Sequence, residues 1–445
     1  MSRTVELTIE RLSQLGEGTA ALEGRAVFVR GALPGERIRA DVSEDHGILR
    51  GRLESVLAPS PSRRQPSCAV ADRCGGCDWL QLDEAAQREA KREIVLSALE
   101  HLGGISRSAL EVAPVLTAGP SMGYRRRAVL HPHRGALGFF EHKSHQRVTV
   151  DRCPALVSGL EPLPGTLREL LKPVLADAEE VQLLAIEGQG SLAATLKTAV
   201  KDSHRRAAEA VIRAGHVRGV VLVPLEGSAF IAGNPVLRGP APLRPQVPLF
   251  FRADAFAQAN GPANDLLVEA ALSLLGPTEI TGPPTESGPA GRGGTGEPAA
   301  RVLELYSGNG NFSFALAERV GSVLGVESSS LAVELARRSV AEAKLENVRF
   351  ILGDTQKVVQ GLIAEGRKFD SLLLDPPRTG AKGCEAWATA LGVHRVVYVA
   401  CDPGALARDA KALAAAGFRP SSLRIVDMFP QTRHVEAVMR FDRVG

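Results

Sequence analysis

The sequence predicts an α/β protein in which a C-terminal parallel sheet flanked by helices follows a small β-barrel and a mixed α+β section. Three observations carry that reading. From Arg301 onward, short apolar strands alternate with helical stretches, the pattern of βαβ units. Residues 5–57 are instead short alternating strands punctuated by Gly16-Glu17-Gly18 and Pro34-Gly35, as in a small barrel. At 445 residues the chain exceeds one core, given roughly 150 residues per domain.

Composition bounds the rest. Hydrophobic residues are 44% and charged residues 23%, and no apolar run approaches the roughly 20 residues of a membrane helix. The start, Met1-Ser2-Arg3-Thr4, lacks a signal-peptide core, so a soluble, cytoplasmic protein is expected. A net charge of +3 excludes a polycation. The cations are 43 Arg and only 10 Lys, a skew that suits phosphate forks and equally fits genome composition. Six cysteines without a secretory context read as metal ligands or catalysts rather than disulfides.

In chain order, residues 1–58 form the barrel, with strands such as Val5–Ile9 and Ala26–Val29, and a Pro/Ser/Arg linker runs from Pro59 to Pro66. A central section, 67–257, opens with clustered cysteines and an amphipathic helix from near Asp83 to Gly103-Gly104, then mixes strands and helices. Its Tyr124-Arg125-Arg126-Arg127 run is a candidate phosphate contact, or a solvated edge. Residues 261–445 form the α/β section, interrupted at 276–300 by a Gly/Pro/Thr/Glu stretch expected to be a flexible insertion.

The first α/β strand ends in Glu304-Leu305-Tyr306-Ser307-Gly308-Asn309-Gly310-Asn311-Phe312, whose small residues let the backbone approach a ligand at the carboxyl end of the sheet. A dinucleotide fingerprint would place a third glycine at Ser313. An acid stands at each following strand end: Glu327 for ribose hydroxyls, Asp354 for an adenine edge, and Asp375 for a sulfonium or target base. Together they favour an adenosyl ligand over NAD. Asp375-Pro376-Pro377-Arg378 has an arginine where amino-group methyltransferases carry an aromatic, which points away from an exocyclic nitrogen target. Tyr398-Val399-Ala400-Cys401-Asp402-Pro403 then sets a thiol at the next strand end. A thiolate added to carbon 6 of uracil makes carbon 5 nucleophilic toward a methyl sulfonium, and a base must afterwards take the carbon 5 proton. Glu436 is the candidate base.

These segments, with Leu406-Ala407-Arg408-Asp409 and Asp427–Pro430 through His434-Val435-Glu436, resemble the RNA 5-methyluridine methyltransferase family over almost the whole chain. The Gly-Glu-Gly turn, Val-Phe-Val strand and Ala-Leu-Pro-Gly-Glu loop of the barrel resemble a TRAM domain. The resemblance implies a Rossmann-like S-adenosylmethionine-dependent domain, with Cys401 as nucleophile and Glu436 as proton acceptor. It implies Gln258, Tyr306, Asn311, Glu327, Asp354 and Asp375 around S-adenosyl-L-methionine. Asp402 departs from the family's more usual Asn.

Cys68, Cys74 and Cys77, with Cys153 as a fourth, suit Zn2+ or a [4Fe-4S] cluster. Within the resembling family this spacing belongs to the members that carry a [4Fe-4S] cluster, which is the expectation here. A thioredoxin-like Cys74/Cys77 pair lacks its strand-helix context, and Cys384 has no role assigned. The expected substrate is RNA with an unpaired uridine, acted on by a monomer with no membrane partner, and the TRAM-plus-cluster combination, which resembles the ribosomal RNA members of the family, implies 23S rRNA before tRNA. Trp79 is a candidate stacking platform or a core residue. The rival readings are a non-catalytic Fe-S RNA-binding protein and a cytosine C5 methyltransferase, which would normally show a Pro-Cys motif.

Overall fold

The computed structural model describes residues 3–276 and 300–444; residues 277–299, the body of the expected insertion, lie outside the described residues. The N-terminal section is one curled sheet of β1 (Arg3–Thr8), β2 (Arg11–Leu12), β3 (Gly18–Leu22), β4 (Arg25–Val29), β5 (Arg37–Asp45) and β6 (Ile48–Ala58). Its order is β1-β5-β6-β4-β3-β2. Strict alternation along β5 turns Ile38, Ala40 and Val42 inward to meet Leu7, Val27 and Val29. Two irregularities in the β5–β6 register add curl. The sheet is tied to the linker by Glu36, which accepts from Leu33 N at 2.8 Å, Ser60 N at 3.3 Å and Arg63 Nε at 2.5 Å.

Helix α1 (Glu84–His101) starts where its cap requires: the Asp83 carboxylate accepts from Ala86 N at 2.9 Å. After β7 (Glu111–Val112) comes the central sheet, built from β8 (Arg127–His133), β9 (Ala136–Phe140), β10 (Arg147–Thr149), β11 (Ala178–Ile186), β12 (Gln189–Leu196), β13 (Gly219–Pro224) and β14 (Phe230–Gly233). Helices α2 (Leu163–Leu170), α3 (Lys172–Asp177) and α4 (Asp202–Arg213) supply Leu167, Val174 and Val211 to its core. The hairpin β15 (Leu237–Ala241) and β16 (Arg244–Phe251) then leads to α5 (Gly261–Leu275).

The C-terminal sheet contains β17 (Arg301–Leu305), β18 (Ser322–Glu327), β19 (Val348–Leu352), β20 (Ser371–Leu374), β21 (Arg395–Ala400), β22 (Phe418–Val426) and β23 (Glu436–Arg443). The intervening helices are α6 (Ser313–Leu316), α7 (Ser330–Ala343), α8 (Thr355–Ala364), α9 (Cys384–Ala390) and α10 (Pro403–Ala415). The order is β19-β18-β17-β20-β21-β23-β22-β7, with β17 to β21 parallel and β23 antiparallel to both neighbours. Both faces are covered, which is why these strands read as continuous apolar runs. Val302, Leu373 and Val397 face α5 and α7; Leu303, Leu372, Leu374 and Val396 face α1, α9 and α10.

One packing relation differs from the linear reading of the chain. Residues 84–112 follow the cysteines and lie inside the central section by sequence, yet β7 pairs with β22, and Val95, Leu96 and Leu99 of α1 join the C-terminal core. An amphipathic pattern shows that one face is buried but not which partner buries it. No described helix is long and apolar enough to cross a membrane.

Candidate active site and cysteine cavity

Strand order reverses between β17 and β20, so the loops after these strands part and leave a crevice at their carboxyl ends. The loop after β17 is bent by left-handed backbone at Tyr306 (φ +65°), Gly308 (+56°) and Gly310 (+95°). A Cβ on Gly310 would stand 2.5 Å from the Phe314 ring, so only glycine fits. Tyr306 holds the same conformation with a side chain, a strain of about 1–3 kcal/mol that marks functional loops.

Glu327 is half-buried, and its carboxylate accepts from Gly308 N at 3.0 Å and Ser329 N at 2.7 Å, which pins the loop to the end of β18. Asn311 exchanges amide hydrogen bonds with Asn264 of α5, at 2.8 and 3.0 Å. Gln258 is buried, its carbonyl accepting from Arg126 Nε at 2.8 Å, and the adjacent Asn260 caps α5. Asp354 is exposed beyond the edge strand, and its Oδ1 caps α8 through Lys357 N at 3.0 Å. It still lies beside Tyr306, whose phenol is pushed up to about 12 chiefly by burial. Two buried oxygens at the crevice, Ser307 Oγ and Glu304 Oε1, have no hydrogen-bond partner among the described residues. Burial raises Glu304 to about 8, with Asp375 and Glu327 adding to the rise.

On the other side of β20 the chemistry changes. Antiparallel β23 begins at the edge where the parallel strands end. Ala400 pairs with Ala437, the last pair of this ladder, so Cys401 and Glu436 both stand next to it at the same end of the sheet. Burial pushes the Cys401 thiol up to about 12; Glu436 and Asp375 add to this, and Arg378 opposes it. Glu436 is buried and raised well above the ordinary carboxylate range, by desolvation first and Asp375 second. Asp375 is pushed up to about 7 by burial and Glu327. Burial thus favours the protonated form at Glu304 and Glu436. Asp402 takes the capping position of α10, accepting from Ala405 N at 2.8 Å, so its departure from Asn keeps the cap and places a helix N-terminus beside the thiol. His434 is held neutral, pushed down to about 3 by burial and then by Arg378.

Cys68, Cys74, Cys77 and Cys153 line one cavity with Val70, Leu80, Phe139 and Arg125. Gly75 lies so close to Phe140 that a Cβ would be 2.9 Å from its carbonyl oxygen. Gly76 N donates to Cys74 Sγ at 3.4 Å. Burial pushes Cys77 up to about 12, against the pull of Arg125. Among the described residues no group of three or more His, Cys, Asp or Glu side chains is arranged to hold a metal ion.

Other expected surface groups are internal. Trp79 is fully buried and donates to Gly16 O at 3.0 Å, so it is core and not a stacking platform. The Tyr124–Arg127 run is knitted into the protein. Tyr124 Oη donates to Pro430 O, Arg126 to Gln258 O and Arg127 to Gln182 Oε1, and burial lowers both Arg126 and Arg127. Cys384 is a fully buried core residue. Sequence reasoning gave no role to Asn264, whose signal is a polar residue within an apolar helix, or to Arg378, whose signal is the missing aromatic.

An open parallel sheet with a glycine-bent loop and acids at its strand ends has the form of an adenosyl-ligand transferase. The family described as tRNA (Uracil-5-)-methyltransferase matches residues 295–444, and the TRAM domain matches residues 2–53. The chain is 33% identical to the 23S rRNA (uracil(1939)-C(5))-methyltransferase RlmD of Pseudomonas putida, over 98% of this chain and 93% of that protein. It is 34% identical, with the same coverages, to the enzyme of that name from Pseudomonas aeruginosa. The fold matches that of the Pyrococcus abyssi tRNA (uracil-54, C5)-methyltransferase, with TM-score 0.71 and 21% identity over 98% of this chain and 100% of that one. The chain belongs to the RNA uracil-C5 methyltransferase family.

Proposed function

We propose that this protein methylates carbon 5 of a uridine in 23S ribosomal RNA. The observation that carries the reading is that Cys401 and Glu436 stand at the same end of the β21–β23 ladder, close enough for Glu436 to perturb the Cys401 thiol. Full-length relatives named for 23S rRNA support that RNA over tRNA.

S-adenosylmethionine, held by Gln258, Tyr306, Asn311, Glu327, Asp354 and Asp375, supplies the methyl group. The unpartnered Ser307 Oγ and the strand-end carboxylates fit its polar rim. Arg378 and the α10 N-terminus favour the Cys401 thiolate, which bonds to carbon 6; the enolate then takes the methyl group at carbon 5. Glu436 accepts the carbon 5 proton, the C5–H electrons form the C5=C6 bond, and sulfur leaves. The raised proton affinity of Glu436 makes its ionised form a stronger base for that step.

The four-cysteine cavity fits a [4Fe-4S] cluster better than zinc. A cluster takes one thiolate on each iron, so its ligands stand apart instead of converging on one atom. The lining is mainly apolar with two arginines, Arg125 and Arg152, which suits a buried anionic cluster. The cluster is assigned a structural role.

The test is transfer of labelled methyl from S-adenosylmethionine to unmodified 23S rRNA and to tRNA, with 5-methyluridine as the product. Cys401→Ala should abolish transfer. Undiminished activity in that variant, or product on tRNA alone, overturns the reading.

A further inference from the structure

The loop from Asp427 to Val435 carries the chain from the end of β22 to Glu436, yet it is held mostly by residues more than 300 positions earlier. Lys91 is fully buried; its Nζ donates to Asp427 Oδ1 at 2.5 Å and to Phe429 O at 2.9 Å. Gln87, one turn before Lys91 on α1, accepts from Gln431 N at 2.9 Å through Oε1 and donates to Gln431 Oε1 at 3.0 Å through Nε2. The same Nε2 donates to Trp79 O and Leu82 O, at 3.0 and 2.7 Å. Asp78 N and Trp79 N both donate to Gln431 O at 3.0 Å, and Asp78 Oδ2 accepts from Arg433 N at 3.2 Å. Arg64 also donates to Gln431 Oε1.

This support is asymmetric with respect to the reaction. Gln431 sits buried in left-handed backbone (φ +68°), a conformation costing a non-glycine residue about 1–2 kcal/mol that the surrounding bonds must offset. Glu436 leaves that loop directly. Cys401 does not: it lies one residue beyond β21, between the end of that strand and the Asp402 cap of α10. Glu436 is the first residue of β23, paired there with Val426, so loosening the loop acts on the end of the strand that carries the base before it reaches the nucleophile.

We infer that Asp78, Gln87 and Lys91 are positioning residues for the elimination step, a brace that holds Glu436 over the carbon 5 proton. The inference rests on the roles proposed for Cys401 and Glu436. With the brace cut, the thiolate still adds to carbon 6 and carbon 5 still takes the methyl group. Proton transfer to Glu436 and the breaking of the carbon–sulfur bond then lag, and the RNA stays attached to Cys401.

The experiment uses the full-length, iron-loaded protein with unmodified 23S rRNA and S-adenosylmethionine labelled in its methyl group. Denaturing gels resolve the covalent protein–RNA adduct from free methylated RNA. Gln87→Leu and Asp78→Ala should lose turnover by about a hundredfold, the scale a misplacement of about 1 Å costs, while labelled adduct accumulates, as it should in Glu436→Gln. Melting curves identify a variant that fails to fold; Asp78, being half-buried, is the milder substitution and carries the test if Gln87→Leu unfolds. Adduct formation and turnover falling in parallel, with Glu436→Gln still trapping adduct, overturns the brace alone. Absence of adduct in Glu436→Gln overturns the assignment of that base, and the brace with it.

Discussion

The ionisation of Cys401 gives the sharpest quantitative test. An ordinary cysteine has a pKa of about 8.5, so at pH 7.5 about one thiol in ten is ionised. Burial beside Glu436 and Asp375 pushes Cys401 up to about 12. At that value the thiolate fraction at pH 7.5 is on the order of one in 30,000, a few thousandfold lower. Only the thiolate reacts with iodoacetamide, so alkylation of Cys401 in ligand-free protein should be on the order of a thousandfold slower than that of free cysteine. The thiol loses its proton as pH rises, so the rate should climb about tenfold per unit between pH 7 and 10 without levelling. Arg378 opposes the upward push, so Arg378→Met should slow alkylation further at every pH. Peptide mass spectrometry separates Cys401 from the other five cysteines. A plateau with a midpoint below about pH 9, or faster alkylation in Arg378→Met, would refute the electrostatic account of the crevice.

Other outcomes follow from single contacts. Cys153→Ser, measured by iron content and visible absorbance after anaerobic purification, should lose both, whereas Cys401→Ser should keep both; zinc in place of iron would count against the cluster. Gly310→Ala forces a Cβ to within 2.5 Å of the Phe314 ring at φ +95° and should lower stability by about 1–3 kcal/mol in thermal melts, with weaker S-adenosylmethionine binding by calorimetry. Glu36→Ala leaves Arg63 without its buried partner and should cost about 3 kcal/mol near neutral pH. Burial works to raise the Glu36 carboxyl, but Arg63 and the N–H groups of Leu33 and Ser60 outweigh it and hold it below the usual range. Its contribution is thus present above the ordinary carboxylate pKa of about 4.3 and is lost as pH falls through the lower folded value. Melting temperatures of wild type and Glu36→Ala should converge below about pH 4.

Much of this architecture is legible in the chain because local rules and packing agree. Strands β17 to β21 announce themselves as apolar runs because both of their faces are covered. The start of α1 is readable from Asp83, whose cap needs only its own helix. The reading weakens where a side chain's partner lies far along the chain. Lys91 looks like a solvated cation in an amphipathic helix, but Asp427 makes it a buried one. Trp79 and Arg126 carry surface-like signals and find their hydrogen-bond acceptors inside the protein. Asp354 illustrates a different limit: a strand-end acid can face a ligand, cap the next helix or do both, and sequence does not separate these uses.

The antiparallel insertion of β23 has a consequence for what can be recognised. Because Cys401 follows the last residue of β21 and Glu436 opens the paired strand β23, both stand at one end of a single ladder, next to the Ala400–Ala437 pair, with the braced loop leading into the second of them. In the roles proposed for them, the two groups act as the jaws of a caliper. A single flat six-membered ring, presented edge-on, brings two adjacent carbons within reach of both jaws at once, while a fused bicyclic base would foul one of them. Discrimination against purines would then be a property of backbone hydrogen bonding, already in place before any RNA arrives.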